Sequence, residues 1–182
     1  IVVGLSRRNE GGGATAIRWA EAEGIQSIGV VPGKYITSAT ELSGDGSTAL
    51  IRTTDNSGGS NEAFRWTLSG GFQPFTGCSC EQVSNASGVS RDGRVVTGQA
   101  SGLAYRWTEE TGVVGLGALP GGSLSSALAI SRDGKTIVGN SSSTTPLGVQ
   151  AFRWTAEAGM EALDPLLYSA YSVSDDGKSV AG

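Results

Sequence analysis

Short apolar runs recur along the chain between glycine-rich breaks, and they keep the two-residue period of strands instead of the 3.6-residue period of helices. Four such runs end on a serine: residues 39–43, 86–90, 127–131 and 170–174, with Leu42, Val89, Ile130 or Val173 just before it. Each is followed by Ser-x-Asp-Gly, whose aspartates are Asp45, Asp92, Asp133 and Asp176. A second apolar run then begins: Ala49-Leu50-Ile51, Val95-Val96-Thr97-Gly98, Ile137-Val138-Gly139 and Val180-Ala181-Gly182. Asp-Gly between two apolar runs predicts a hairpin, since both residues accept the positive-φ turn geometry that keeps twisted strands paired.

A third pattern sets the period. Ala16-Ile17-Arg18-Trp19-Ala20, Ala63-Phe64-Arg65-Trp66-Thr67, Ala104-Tyr105-Arg106-Trp107-Thr108 and Ala151-Phe152-Arg153-Trp154-Thr155 are four copies of one cassette and contain all four tryptophans. Their arginines lie 47, 41 and 47 residues apart, a period typical of propellers, solenoids and arrays. A glycine stands six residues beyond each arginine and an apolar residue ten beyond. The aspartate follows 27 residues beyond the arginine in three repeats and 23 in the fourth, which marks the connection between them as a surface loop.

Each repeat therefore reads as four short strands: the runs before and after Asp-Gly, the cassette, and the segment after the cassette glycine. The predicted fold is all-β, a β-propeller-like array of four-stranded antiparallel blades in about four repeats of 41–47 residues. The strand order is similar to that of a WD40 blade. The repeats run 1–46, 47–93, 94–134 and 135–177, with a terminal strand at 178–182. Because the chain opens without methionine and begins and ends on the same strand of the repeat, a segment of a longer array, or blades completed by another copy, is expected. Loops 6–14, 53–61 and 140–148 emerge from one equivalent position and are expected to crowd one rim.

Composition narrows the function classes. The net charge is −4 and the 13 basic residues are dispersed, which argues against a nucleic-acid or anionic-membrane partner. No run approaches the ~20 apolar residues that span a bilayer, so no membrane insertion is expected of this segment. There is no histidine, so Ser-His and Cys-His nucleophile pairs are missing. Glu62, Glu109, Glu110 and Asp164 could supply a carboxylate pair, but they occupy unlike repeat positions. Ser-x-Asp-Gly offers one carboxylate where calcium needs several oxygens. Cys78-Ser79-Cys80 stands alone, either as two thiols in a variable loop, a strained local disulfide or a bridge to another chain. No catalytic, cofactor-binding or metal-binding residue is predicted, and the chain is not expected to be an enzyme.

The residues singled out are the recurring ones: Arg18, Trp19, Arg65, Trp66, Arg106, Trp107, Arg153, Trp154 and the four turn aspartates. Alternation puts Phe64 and Trp66 on one strand face and Ala63, Arg65 and Thr67 on the other, which suits aromatic packing between blades better than sugar stacking. The arginines, set between aromatics, are expected to bond loop carbonyls or the turn aspartates; solvation and ligand anchoring are the alternatives. The aspartates read as turn formers.

The composite of Ala-Phe-Arg-Trp-Thr with Leu116-Gly117-Ala118-Leu119-Pro120-Gly121-Gly122 and residues 126–139 resembles the HAF repeat of predicted extracellular bacterial proteins. The histidine of that motif is replaced by Thr15, Glu62, Leu103 and Gln150, and the second repeat carries Gly77-Cys78-Ser79-Cys80 in place of Leu-Pro-Gly-Gly. The resemblance implies an extracellular or cell-surface location more than a reaction. The resulting expectation is a non-catalytic repeat module for structural spacing, self-association or adhesion, with itself or other surface proteins as partners and no cofactor. The alternative is a carbohydrate- or ligand-binding propeller that uses the three rim loops.

Overall fold

The computed structural model describes residues 1–7, 13–55, 61–76 and 83–182. Cys78 and Cys80 and most of loops 6–14 and 53–61 lie outside them. The described residues are all-β, without a helix, and form consecutive blades of a β-propeller array. Three strands come first: β1 (Val2–Arg7), β2 (Ala14–Ala20) and β3 (Gly24–Gly29). One parallel bridge, Ala14 to Ile36, joins them to the second blade. That blade is β4 (Ile36–Leu42), β5 (Thr48–Thr54), β6 (Asn61–Thr67) and β7 (Gly71–Pro74). The third is β8 (Val83–Val89), β9 (Val96–Ala100), β10 (Leu103–Thr108) and β11 (Gly112–Gly117). A fourth follows in β12 (Ser125–Ile130), β13 (Ile137–Ser142), β14 (Val149–Thr155) and β15 (Gly159–Ala162). The last pair is β16 (Ser172–Val173) and β17 (Val180–Ala181).

Within each complete blade the strands pair in sequence order and antiparallel. The sheets span 36–74, 83–117 and 125–162, so each begins one strand ahead of an Asp-Gly turn and straddles the sequence-repeat boundary there. In each complete blade the cassette is the third strand, as the order of the repeat predicts.

The Asp-Gly hairpin differs from its expected form in one respect. Ser43 N–H donates to Thr48 O at 2.8 Å, which leaves four residues, 44–47, in the loop. Gly46 has φ +75°, but among the described residues Ser101 is the one non-glycine at positive φ, so Asp45 keeps an ordinary backbone. The aspartate contributes its side chain instead: Oδ1 accepts the Ser43 hydroxyl at 2.7 Å and Ser47 N–H at 2.9 Å. The tight two-residue turn falls elsewhere, at Ser101-Gly102 between β9 and β10, with φ +49° and +80°.

Apolar side chains collect between neighbouring blades. Phe64 and Trp66 join Ala16, Ala39 and Ile51 between the first and second blades. Tyr105 and Trp107 meet Leu50, Ala63 and Phe75 between the second and third. Phe152 and Trp154 meet Ala104 and Leu119 between the third and fourth. Val138 and Ala151 face Ala170 and Val173 beyond. The second, third and fourth cassettes thus turn their two aromatics onto the preceding blade, and the alanine of each cassette faces the following one, a large-to-small fit that lets successive sheets approach. Tyr105 and Phe152 are 1% and 0% exposed, and burial raises the Tyr105 phenol far above its ordinary value.

Candidate functional site

Antiparallel order puts the Asp-Gly turns and the turns that follow the cassettes at the same end of every blade. The Asp-Gly turns repeat one hydrogen-bond set. Ser90 gives Asp92 its hydroxyl at 2.7 Å and takes Val95 N–H at 3.0 Å; Ser131 and Ser174 repeat this with Asp133 and Asp176. The serine hydroxyl, the strongest influence in each turn, holds all four aspartates below the ordinary carboxylate range.

These turns also stack on one another. Asp45 N–H donates to Arg91 O and Arg91 N–H to Arg132 O, both at 2.9 Å. Gly46, Gly93, Gly134 and Gly177 close over Ile1, Thr48, Val95 and Thr136, which hold one repeat position in successive blades. A Cβ on Gly93 or Gly177 would overlap the threonine hydroxyl beneath it. The glycine of Asp-Gly therefore serves the joint between blades as well as its own turn.

The structure places the cassette arginines differently from expectation. None pairs with a turn aspartate, because those carboxylates are turned into their own loops by serine. Arg18 Nη1 donates to Glu23 and Gln26, both at 2.7 Å, within its own blade. Arg65 Nη1 donates to Gln73 Oε1 at 3.2 Å. Arg153 alone reaches a loop carbonyl, Gly177 O, at 3.5 Å. Arg106 makes no hydrogen bond or ion pair among the described residues. The partners are glutamine and glutamate on the neighbouring strand or its turn, residues that do not recur in every repeat and carry no sequence signal as a set.

One place on this end of the molecule forms a cleft. Between the second and third blades, Arg65, Arg94, Trp107, Thr108, Glu109 and Glu110 line a space of about 440 Å³. A shallower groove of about 740 Å³ shares Arg65, Arg94 and Glu109 and extends past Trp66, Gln73 and Asp92. Arg65 crosses the joint with its Cζ 5.5 Å from the centre of the Trp107 ring, a cation–π contact between blades. Its Nε is buried without a partner, as is Trp107 Nε1. On its other flank Trp107 meets Phe75 edge-on at 5.3 Å. Arg94 is 84% exposed at its side chain and lies 3.9 Å from Asp92. Of these residues, Arg65, Trp66, Trp107 and Asp92 are legible from the repeat; Arg94 and Glu109 are not, because they sit at positions that vary between repeats.

Of the three expected rim loops, 140–148 is the described one, and it is pinned. Leu119 N–H donates to Ser141 Oγ at 2.9 Å, and Ser123 and Leu124 N–H donate to Ser142 Oγ at 2.8 and 3.0 Å. Gly122 lies so close to Ser142 O that a Cβ would overlap it. The Leu-Pro-Gly-Gly segment is thereby explained as the clamp that fastens the β11–β12 connection to the end of β13, where the 140–148 loop begins. Among the described residues no group of three or more His, Cys, Asp or Glu side chains could hold a metal, and no helix is long and apolar enough to cross a membrane.

No protein-family model matches the chain, and no curated protein matches it. Solved structures do match. The crystal structure of TolB from Acinetobacter baumannii superposes with a TM-score of 0.52 and 14% identity, covering 87% of this chain and 39% of that one. The structure of putative TolB from Agrobacterium tumefaciens gives 0.52 and 18%, covering 90% and 62%. At such identities the likeness shows the fold, a β-propeller. The chain spans less than two thirds of either of these structures.

Proposed function

We propose that this propeller segment is a non-catalytic repeat module of an extracellular or cell-surface protein, related to HAF repeats, that acts in structural spacing, self-association or adhesion. The observation that supports it is where the recurring residues go. Serine and aspartate fix the shape of each turn, the turn glycines close over the preceding blade, and the cassette aromatics and alanines fill the joints. What the repeat preserves is thus the means of adding one blade to the next, as expected of a rigid spacer. Beads coated with the purified chain should cluster with one another or attach to cells that display the full-length protein, and protease added to those intact cells should digest it. Beads that do neither, or a protein protected from protease, would overturn the reading.

A second reading, a carbohydrate- or ligand-binding propeller, is favoured by one observation: the half-buried Arg65 cation faces a cleft without a carboxylate in ion-pair contact among the described residues. This moves the candidate site from the rim loops to the end that bears the Asp-Gly turns.

A further inference from the structure

We propose that the cleft between the second and third blades binds an acidic sugar, a pyranose bearing a single carboxylate, through Arg65 and Arg94. The inference rests on the binding reading above and names its ligand class.

Three observations lead to it. First, Arg65 is oriented but not neutralised. Gln73 Oε1 holds Nη1 at 3.2 Å and the Trp107 ring backs the guanidinium at 5.5 Å, yet no carboxylate of a described residue pairs with it. A partly desolvated guanidinium fixed in this way is prepared for a planar, bidentate oxyanion. The other cassette arginines are not: Arg18 is neutralised by Glu23 at 2.7 Å, Arg153 is turned to a carbonyl, and neither Arg153 nor Arg106 has an aromatic face behind it among the described residues.

Second, the lining charges balance. Arg65 and Arg94 stand with Glu109 and Glu110 around one space. A multiply charged anion such as a phosphate ester would meet the two glutamates, and a divalent cation would meet the two arginines. A ligand with one negative charge and several hydroxyls suits both walls: its carboxylate takes the guanidinium donors, and its hydroxyls donate to the glutamate oxygens and exchange hydrogen bonds with Thr108.

Third, the size and surroundings fit a saccharide. A volume of about 440 Å³ lies within the usual range for small-ligand sites. The adjoining groove, with Trp66, Gln73 and Asp92, offers an aromatic surface and further polar groups to a second unit. Trp107 itself, buried behind Arg65, gives that wall a rigid aromatic backing.

The test uses the chain as it stands and galacturonate, which carries one carboxylate, as the probe, with galactose as neutral control and lactate as a non-sugar monocarboxylate. Titration calorimetry is run alongside tryptophan fluorescence, to which Trp107 should contribute on ligand entry. The expected result is saturable binding of galacturonate at least tenfold tighter than of either control. Arg65→Met and Arg94→Gln should each weaken it about tenfold or more; the Arg94 side chain is 84% exposed, so that variant keeps the proposal testable should the first fail to fold. Equal binding of galactose or lactate, or full binding by a folded Arg94→Gln variant, overturns the proposal. A glycan array separates the two levels. Hits on neutral glycans that survive both substitutions refute this site while the binding reading stands; a blank array, together with no binding of galacturonate, refutes both.

Discussion

At the residue scale, the four turn aspartates act through their acceptor oxygens. Asp45, Asp92, Asp133 and Asp176 each accept a serine hydroxyl at 2.6–2.7 Å, and this lowers their proton affinity in the folded chain. The folded state then binds fewer protons than the unfolded one as pH falls, so the stabilisation is complete above the unfolded carboxylate value, about 3.9, and is lost as pH drops through the lower folded value. Because a neutral hydroxyl is the main cause, salt should not abolish the effect. Thermal melts are expected to be level between about pH 5 and 7 and to fall steeply below about pH 4 in both low and high salt. Replacing all four aspartates by asparagine should flatten the acid limb; an unchanged limb would refute the assignment. The turn itself was legible in Ser-x-Asp-Gly, but the serine's part was not, since a hydroxyl that bonds a carboxylate two positions on and an amide five positions on looks in sequence like any other strand-end serine.

At the scale of the element, the decisive contact is turn on turn. Gly93 has φ +70° and its missing Cβ would overlap Thr48 Oγ1, whereas Gly71 has φ +62° with nothing within 4 Å of that position. Alanine at Gly71 should cost about 1–2 kcal/mol of backbone strain. At Gly93 it should cost a further ~1–3 kcal/mol, because the stacked threonine is walled in by its own strand. Urea denaturation of the two variants checks this; equal losses would mean that the stacking carries no energy. The cassette shows the complementary limit. Its alternation correctly separates aromatic from small residues, but the alternation is symmetric and does not say which face meets the preceding blade. The arginine partners were missed for a related reason: Glu23, Gln26 and Gln73 lie on the fourth strand or its turn, where the repeat does not constrain side chains.

At the scale of the molecule, the apolar clusters of the described residues each join neighbouring blades, so stability should be graded along the array. The third and fourth blades are covered on both faces, with Val96, Ala104, Ala127, Ile137 and Phe152 at 0% exposure. β1 exposes Val2 and Leu5 at 57% and 51%, and β16 and β17 are two residues each. Amide hydrogen exchange should therefore be slowest in β9, β10, β12 and β13 and fastest in β1, β16 and β17. Uniform protection along the chain would show instead that it unfolds as one cooperative unit.

What the sequence determined by itself was periodic: strand length, the place of each turn, the order of strands in a blade and the all-β class. Each of these depends on residues within one repeat, and fourfold repetition separates their signal from chance. Only the tertiary structure decided what depends on two repeats at once. It showed which blade each cassette face meets, that the turn glycines are needed for stacking, that Leu-Pro-Gly-Gly clamps a loop, and that Arg65 reaches Trp107 across a joint to form a cleft. Those contacts join residues of different repeats, and a pattern averaged over copies records what stands at each position but not which other position it meets.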